Sequence, residues 1–92
     1  MEDLEDKALK IFNAMFNDQE TVEIEGDTYY FDRTPQLGLK LIRISDYKFL
    51  EQNPEKDSSW GEKAREGHKI MWILKDGDYI AQVYEGEFHD WG

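Results

Sequence analysis

The sequence contains no cysteine and no long apolar run, and these absences exclude several classes of protein. Without cysteine there can be no disulfide framework, thiolate zinc site or cysteine nucleophile. No stretch approaches the ~18–20 consecutive apolar residues of a membrane-spanning helix. The first residues, MEDLED, are acidic where a secretory signal would be basic. We therefore expect a soluble cytoplasmic protein without membrane contact.

Motifs for catalysis and nucleotide binding are also missing from the sequence. It has no Walker loop, dinucleotide-binding glycine fingerprint, nucleophile elbow or paired-histidine zinc motif. Ser58 or Ser59 with His68 would supply a nucleophile and a base, but serines at a helix start are typically caps. We predict a protein that is not an enzyme and has no cofactor. The enzyme alternative requires a deep pocket lined by His68 or His89, the two histidines of the chain.

Basic residues are scarce at both ends of the chain, whose net charge is -10. Residues 1–32 hold ten acids and two lysines, residues 33–75 hold nine bases and six acids, and residues 76–92 hold five acids and no base. Such a charge keeps a small protein soluble, repels nucleic acid and anionic lipid, and speeds encounter with a basic partner. The charge therefore predicts a basic protein surface as partner, and no direct binding of nucleic acid.

What is present is enough apolar material for one folded unit. With 92 residues, 39% hydrophobic and 14% aromatic, the chain is too rich for a disordered protein and too short for two cores. We predict a single domain over residues 1–92.

The strongest structural signal is the stretch 68–84, HKIMWILKDGDYIAQVY, in which Asp76-Gly77 separates two apolar-rich runs. Asp-Gly between such runs favours a two-residue hairpin turn, which would set Leu74 opposite Tyr79 and Ile73 opposite Ile80. One face is then wholly apolar or aromatic and is predicted to be core: Ile70, Trp72, Leu74, Tyr79, Ala81 and Val83. The other face carries an apolar island of Met71, Ile73, Ile80 and Tyr84, which the short helix, the tail residues Phe88 and Trp91 or a second subunit could cover.

The first third of the chain predicts a helix followed by a second hairpin. Apolar residues recur with helical spacing from Glu2 to about Asn17. In TVEIEGDTYYFDR, a turn at Gly26-Asp27 would set Ile24 opposite Tyr29 and Val22 opposite Phe31. The opposite, outer face is predicted to carry Glu23, Glu25, Thr28, Tyr30 and Asp32.

The middle of the chain predicts one strand and one or two short helices. In residues 37–44 the alternation slips, so either a bulge re-phases the strand or both of its faces are covered. Asp46 would cap a short helical turn reaching Leu50, and Ser59-x-x-Glu62 fits a capping box for a short helix ending at Gly67. The fold class is therefore α+β, with an antiparallel sheet of about five strands (two β-hairpins plus one strand) packed against an N-terminal amphipathic helix and a short second helix.

Three functions follow as hypotheses. The first is a non-enzymatic module whose acidic surface contacts a basic partner, one form of which is an inhibitor that imitates nucleic acid; its predicted contact residues are Glu23, Glu25, Asp27, Tyr30 and Asp32. The second is a divalent-cation (Ca, Mg or Zn) protein, because Glu85, Glu87 and His89 alternate, Asp90 is adjacent, and His68 faces Glu85 across the hairpin. The third is the small enzyme described above.

Overall fold

The computed structural model describes residues 3–55 and 58–91. They form a body of 37 × 28 × 23 Å. Its elements are α1 (Leu4–Phe16), β1 (Thr21–Ile24), β2 (Asp27–Tyr30), β3 (Asp32–Arg33), β4 (Lys40–Ile44), β5 (Tyr47–Glu51), α2 (Ser59–Arg65), β6 (Ile70–Lys75), β7 (Asp78–Tyr84) and β8 (Glu87–Asp90).

The strands form two antiparallel sheets. β1 and β2 make a hairpin of their own, and β3 to β8 make a six-stranded sheet in which each strand pairs with the next in the chain. The predicted α+β class, with antiparallel strands and two helices, is confirmed. The predicted count of about five strands is too low, because the described residues contain eight.

Helix α1 covers one face of the larger sheet. Asp3 caps it by accepting the Asp6 N–H at 2.9 Å, whereas the predicted start at Glu2 lies outside the described residues. Its apolar stripe packs with residues of β1, β4, β5, β6 and β7 into the core. The buried members are Ala8, Ile11, Phe12, Ala14, Met15, Val22, Ile24, Ile42, Phe49, Met71, Ile73, Ala81 and Val83. Neither helix in the described part of the chain is long and apolar enough to span a membrane.

The central hairpin forms as predicted at its turn and departs from the prediction beyond it. Asp76 and Gly77 both have positive φ, and Leu74 pairs with Tyr79. Ile80 is then an extra residue in β7, so Ile73 pairs with Ala81 rather than with Ile80. Because a one-residue slip turns every later side chain to the opposite face, the predicted core face is divided between the two sides of the sheet. Ala81 and Val83 join Met71 and Ile73 beneath α1, whereas Ile70 and Leu74 are buried on the Trp72 side and Tyr79 is exposed.

The same one-residue difference occurs in the first hairpin. The turn residues are Glu25 and Gly26, both with positive φ, rather than Gly26 and Asp27. Val22 therefore pairs with Tyr29 and Ile24 with Asp27, which corrects the predicted pairing. Tyr29 still packs against the core, and Tyr30 still faces outward.

One element was assigned wrongly from the sequence, and one strand was not predicted. Asp46 does not cap a helical turn, because residues 47–51 form strand β5, joined to β4 by a two-residue turn at Ser45-Asp46. The tail forms β8, paired with β7 beyond a turn at Glu85-Gly86. Phe88 of β8 packs against the core beneath α1 and thereby helps to cover the Met71 face.

The remaining predictions of local structure are mostly confirmed. Leu41 and Ile42 of β4 are both buried, so both faces of that strand are covered. The short helix α2 is present, but its cap is Ser58, whose Oγ accepts the Gly61 N–H at 3.1 Å, rather than Ser59. Gly67 follows the helix with a positive φ of 98°, which favours glycine.

Candidate ligand-binding cleft

The face of the larger sheet opposite α1 carries an open cleft of about 620 Å³, here called the tryptophan cleft. All three tryptophans of the chain line it: Trp60 from α2, Trp72 from β6 and Trp91 just after β8. The rest of the apolar wall is formed by Tyr79 of β7, Leu50 of β5 and Leu39. Aromatic residues gathered from four separate elements at one open cleft are typical of a binding site.

Trp72 is the centre of this arrangement. Its ring lies 5.7 Å from Trp60, 5.4 Å from Tyr79 and 5.2 Å from Trp91, measured between ring centroids, and all three contacts are edge-on. Its Nε1 donates a hydrogen bond to Oε1 of Gln52, whose Nε2 in turn donates to the Asn53 carbonyl at 2.8 Å. Packing and hydrogen bonding therefore fix the Trp72 ring in one orientation.

The aromatic side chains divide into an inner and an outer pair. Trp60 and Trp72 are half-buried, and Trp60 also contacts Tyr84, so this pair attaches α2 to the sheet. Trp91 and Tyr79 are each 52% exposed. The exposed rings of the outer pair are therefore available to a ligand, and contact with them does not require the core to open.

Glu51 is the one residue with a charged side chain among the described residues that line the cleft. It pairs with Met71, which lies in the core beneath α1, whereas Leu50 pairs with Trp72. Its Oε1 accepts the backbone N–H of Lys40 at 3.0 Å. A ligand in the cleft therefore meets a mainly aromatic wall.

A smaller cleft of about 360 Å³ adjoins the tryptophan cleft and shares Trp60 and Trp91 with it. Lys63, Tyr84, His89 and Gln82 line the remainder of the smaller cleft. Gln82 is only 2% exposed, and its Nε2 has no hydrogen-bond partner within the described residues. A buried amide in this state costs about 1–3 kcal/mol of stability.

The predicted acidic patch is exposed but is not gathered on one face. Glu23 and Tyr30 lie on the outer face of the β1–β2 hairpin, and Tyr30 is 72% exposed. Glu25 lies in the turn, with its Oε1 4.0 Å from Nζ of Lys7 on α1. Asp27 pairs with Ile24 on the other face, and Asp32 belongs to β3 of the larger sheet.

The predicted metal ligands are not brought together. Among the described residues, no group of three or more histidine, aspartate or glutamate side chains could hold an ion. His89 Nε2 lies 3.8 Å from Glu87 Oε2, while Glu85 belongs to the turn and pairs with His68. His89 lines the smaller cleft and His68 lines a separate one, so the enzyme alternative stays a prediction.

The predicted cross-strand contact between His68 and Glu85 is confirmed, with Nδ1 and Oε1 2.9 Å apart. This hydrogen bond, and that from the Lys69 N–H at 3.1 Å, hold the pKa of the Glu85 carboxyl below its usual range. The His68 ring also stacks on Tyr84. These contacts account for both side chains as a structural pair.

None of the residues of the tryptophan cleft was predicted as a binding residue. Trp72 and Tyr79 were assigned to the core and Trp91 to the tail. The one signal in the sequence for such a cleft was that its three tryptophans lie in or beside three different elements. Comparison of the chain with protein-family models, with curated proteins and with solved structures found no match.

Proposed function

We propose that the protein is a non-catalytic binding module that holds a basic segment of a partner protein against the tryptophan cleft. The observation that carries this proposal is the convergence of all three tryptophans on one open cleft. A soluble domain rarely exposes that much aromatic surface in one place without a binding role.

The chemistry of the wall favours a cationic side chain. A lysine or arginine placed over a tryptophan face gains about 0.5–2 kcal/mol, and tryptophan is the strongest of the three aromatic partners. Trp91 and Tyr79, each 52% exposed, offer such rings in the cleft. An arginine or lysine would thus meet aromatic faces on a chain whose net charge is -10.

The charge of the whole chain supports the same ligand. A net charge of -10 attracts basic segments over long distances and repels acidic ones. Partners that themselves bind nucleic acid carry segments of this kind, so an inhibitor of such a protein is one form of the proposed function.

The outer face of the β1–β2 hairpin is the alternative surface for the same kind of partner. Tyr30 is more exposed than any other large hydrophobic side chain described, and Glu23 lies on the same face. The two surfaces are on different elements, so single substitutions separate them.

A titration followed by tryptophan fluorescence tests the proposal directly, because every tryptophan of the chain lines the cleft. The probe is a peptide of alternating arginine and glycine, capped at both termini, and its control has glutamine in place of each arginine. We expect a saturable fluorescence change with the arginine peptide and none with the glutamine peptide. Equal responses to both peptides, or none to either, would contradict the proposal.

Variants then locate the binding surface by calorimetry. Trp91→Ala or Tyr79→Ala should weaken arginine-peptide binding about 2- to 30-fold, the range expected for one cation–π contact. Both side chains are half exposed, so the fold should survive the change. Tyr30→Ala is the matched control and should bind as the native protein does. Loss of binding in Tyr30→Ala alone would move the site to the hairpin.

A further inference from the structure

We infer that Gln82 binds the ligand directly, its side-chain amide donating a hydrogen bond to a main-chain carbonyl of the basic segment. The inference rests on the proposed function, since it concerns how the same cleft holds the backbone of its ligand. It also narrows the ligand, because an extended peptide supplies this carbonyl and an isolated cation does not.

The two buried glutamines of the aromatic face differ in their hydrogen bonding. Gln52 is 6% exposed and uses both ends of its amide, accepting from Trp72 and donating to Asn53. Gln82 is 2% exposed and pairs with Trp72 in the strand register, yet its Nε2 has no partner within the described residues. Buried amides in folded proteins are almost always paired, so this exception points to a partner supplied from outside.

Gln82 lies in the wall of the smaller cleft, next to the tryptophan cleft. The smaller cleft that it lines shares the walls of Trp60 and Trp91 with the larger one. A peptide with one side chain against Trp91 would bring its neighbouring backbone to the smaller cleft, because Trp91 is a wall of both clefts.

The other polar groups of the smaller cleft match an acceptor rather than a second cation. Lys63 lines it with its Nζ 5.8 Å from the centre of the Tyr84 ring, and His89 lies beside Gln82 in the register of β7 and β8. The positive charge of Lys63 repels another basic side chain. A carbonyl oxygen is instead attracted both by that charge and by the free amide of Gln82.

Two substitutions of glutamine by methionine test the role of Gln82. Gln82→Met keeps the length of the side chain and removes the donor. Gln36→Met is the matched control, because Gln36 is exposed and lines neither cleft. Each protein is titrated with the capped arginine-glycine peptide and separately with tetramethylammonium chloride, a cation without a carbonyl.

We expect Gln82→Met to lower peptide affinity about fivefold relative to tetramethylammonium affinity, as loss of one hydrogen bond predicts. Gln36→Met should match the native protein with both probes. Native-like peptide affinity in Gln82→Met, or an equal fall for both probes, would overturn the role of Gln82 and leave the proposed function standing. Absence of peptide binding by the native protein would overturn both.

Discussion

At the scale of single residues, the Glu85–His68 pair makes stability depend on pH. The pKa of the Glu85 carboxyl is lowered in the folded state by the His68 hydrogen bond first and the Lys69 N–H second. A lowered folded pKa means that the carboxylate stabilises the fold above the pKa of an unfolded glutamate. That contribution is lost as the pH falls through the folded pKa.

Glu85→Gln tests this pair. We expect the variant to have a lower free energy of unfolding than the native protein at neutral pH, with the difference shrinking as the pH falls into the acid range. Urea unfolding at several pH values measures it. Glu87→Gln is the control, because Glu87 is exposed and lies two residues from Glu85. A difference that stays constant with pH would contradict the assignment.

For Gln82 we expect that a substitution which weakens binding also stabilises the fold. Its buried, unpartnered amide costs stability in the free protein, and methionine removes this cost at similar volume. We therefore expect Gln82→Met to raise the free energy of unfolding by about 1 kcal/mol. Thermal unfolding measures it, with Gln36→Met as the exposed control. A lower melting temperature for Gln82→Met would show that the amide is satisfied in the free protein.

At the scale of elements, α1 depends on a lysine from the sheet. The last turn of α1 has no basic residue, and Lys40 of β4 instead donates from Nζ to the Met15 carbonyl at 2.8 Å. Its Nζ also lies 3.4 Å from Oδ1 of Asp18, which is almost fully exposed. The lysine thus places a positive charge and a donor at the negative end of the helix.

Lys40→Met should lower the free energy of unfolding by about 1 kcal/mol, because the helix carbonyl loses its donor while the aliphatic part of the side chain remains. Urea unfolding measures the change. Lys48→Met is the control, since Lys48 is also half-buried on the neighbouring strand but does not contact the helix end through any bond described. Equal effects of the two substitutions would contradict a capping role.

The elements also show which features the sequence could predict. Helical periodicity identified α1, and Asp76-Gly77 identified the central turn, because both signals are local. The bulge at Ile80 carries no local signal, and it turned Gln82 and Tyr84 to the face of Trp72, so the face of the tryptophan cleft was assigned to the core. β8 did have a signal: Glu85-Gly86 repeats the acidic-glycine pair of Glu25-Gly26, and all four residues have positive φ.

Convergence of the three tryptophans was beyond local reasoning for a different reason. Trp72 and Trp91 come from β6 and the end of β8 and meet through the pairing of β6, β7 and β8, whereas Trp60 joins them because α2 packs on the sheet. Each tryptophan alone resembles an ordinary anchoring residue. The cleft therefore depends on strand register and helix packing rather than on any one segment.

At the scale of the whole molecule, charge repulsion should make the fold more stable in salt. The chain has 21 acids and 11 bases, so carboxylates repel one another more than ion pairs attract. The exposed pairs described contribute little, Lys7–Glu25 and Lys75–Asp46 being at the 4.0 Å limit. We expect the melting temperature to rise between about 10 and 150 mM salt, as the Debye length falls from ~30 to ~8 Å. Equal effects of sodium and potassium chloride would identify screening, and a falling melting temperature would contradict it.

Binding of the arginine peptide should respond to salt in the opposite direction. Screening weakens the attraction between a chain of charge -10 and a cationic ligand, so affinity should fall over the same salt range in which stability rises. Calorimetry at each salt concentration, together with a thermal melt of the same sample, measures both quantities. Because the fold becomes more stable as binding weakens, unfolding is excluded as the cause of the weaker binding. An affinity that does not change with salt would show that the aromatic faces alone hold the ligand and that the acidic surface has no part in recognition.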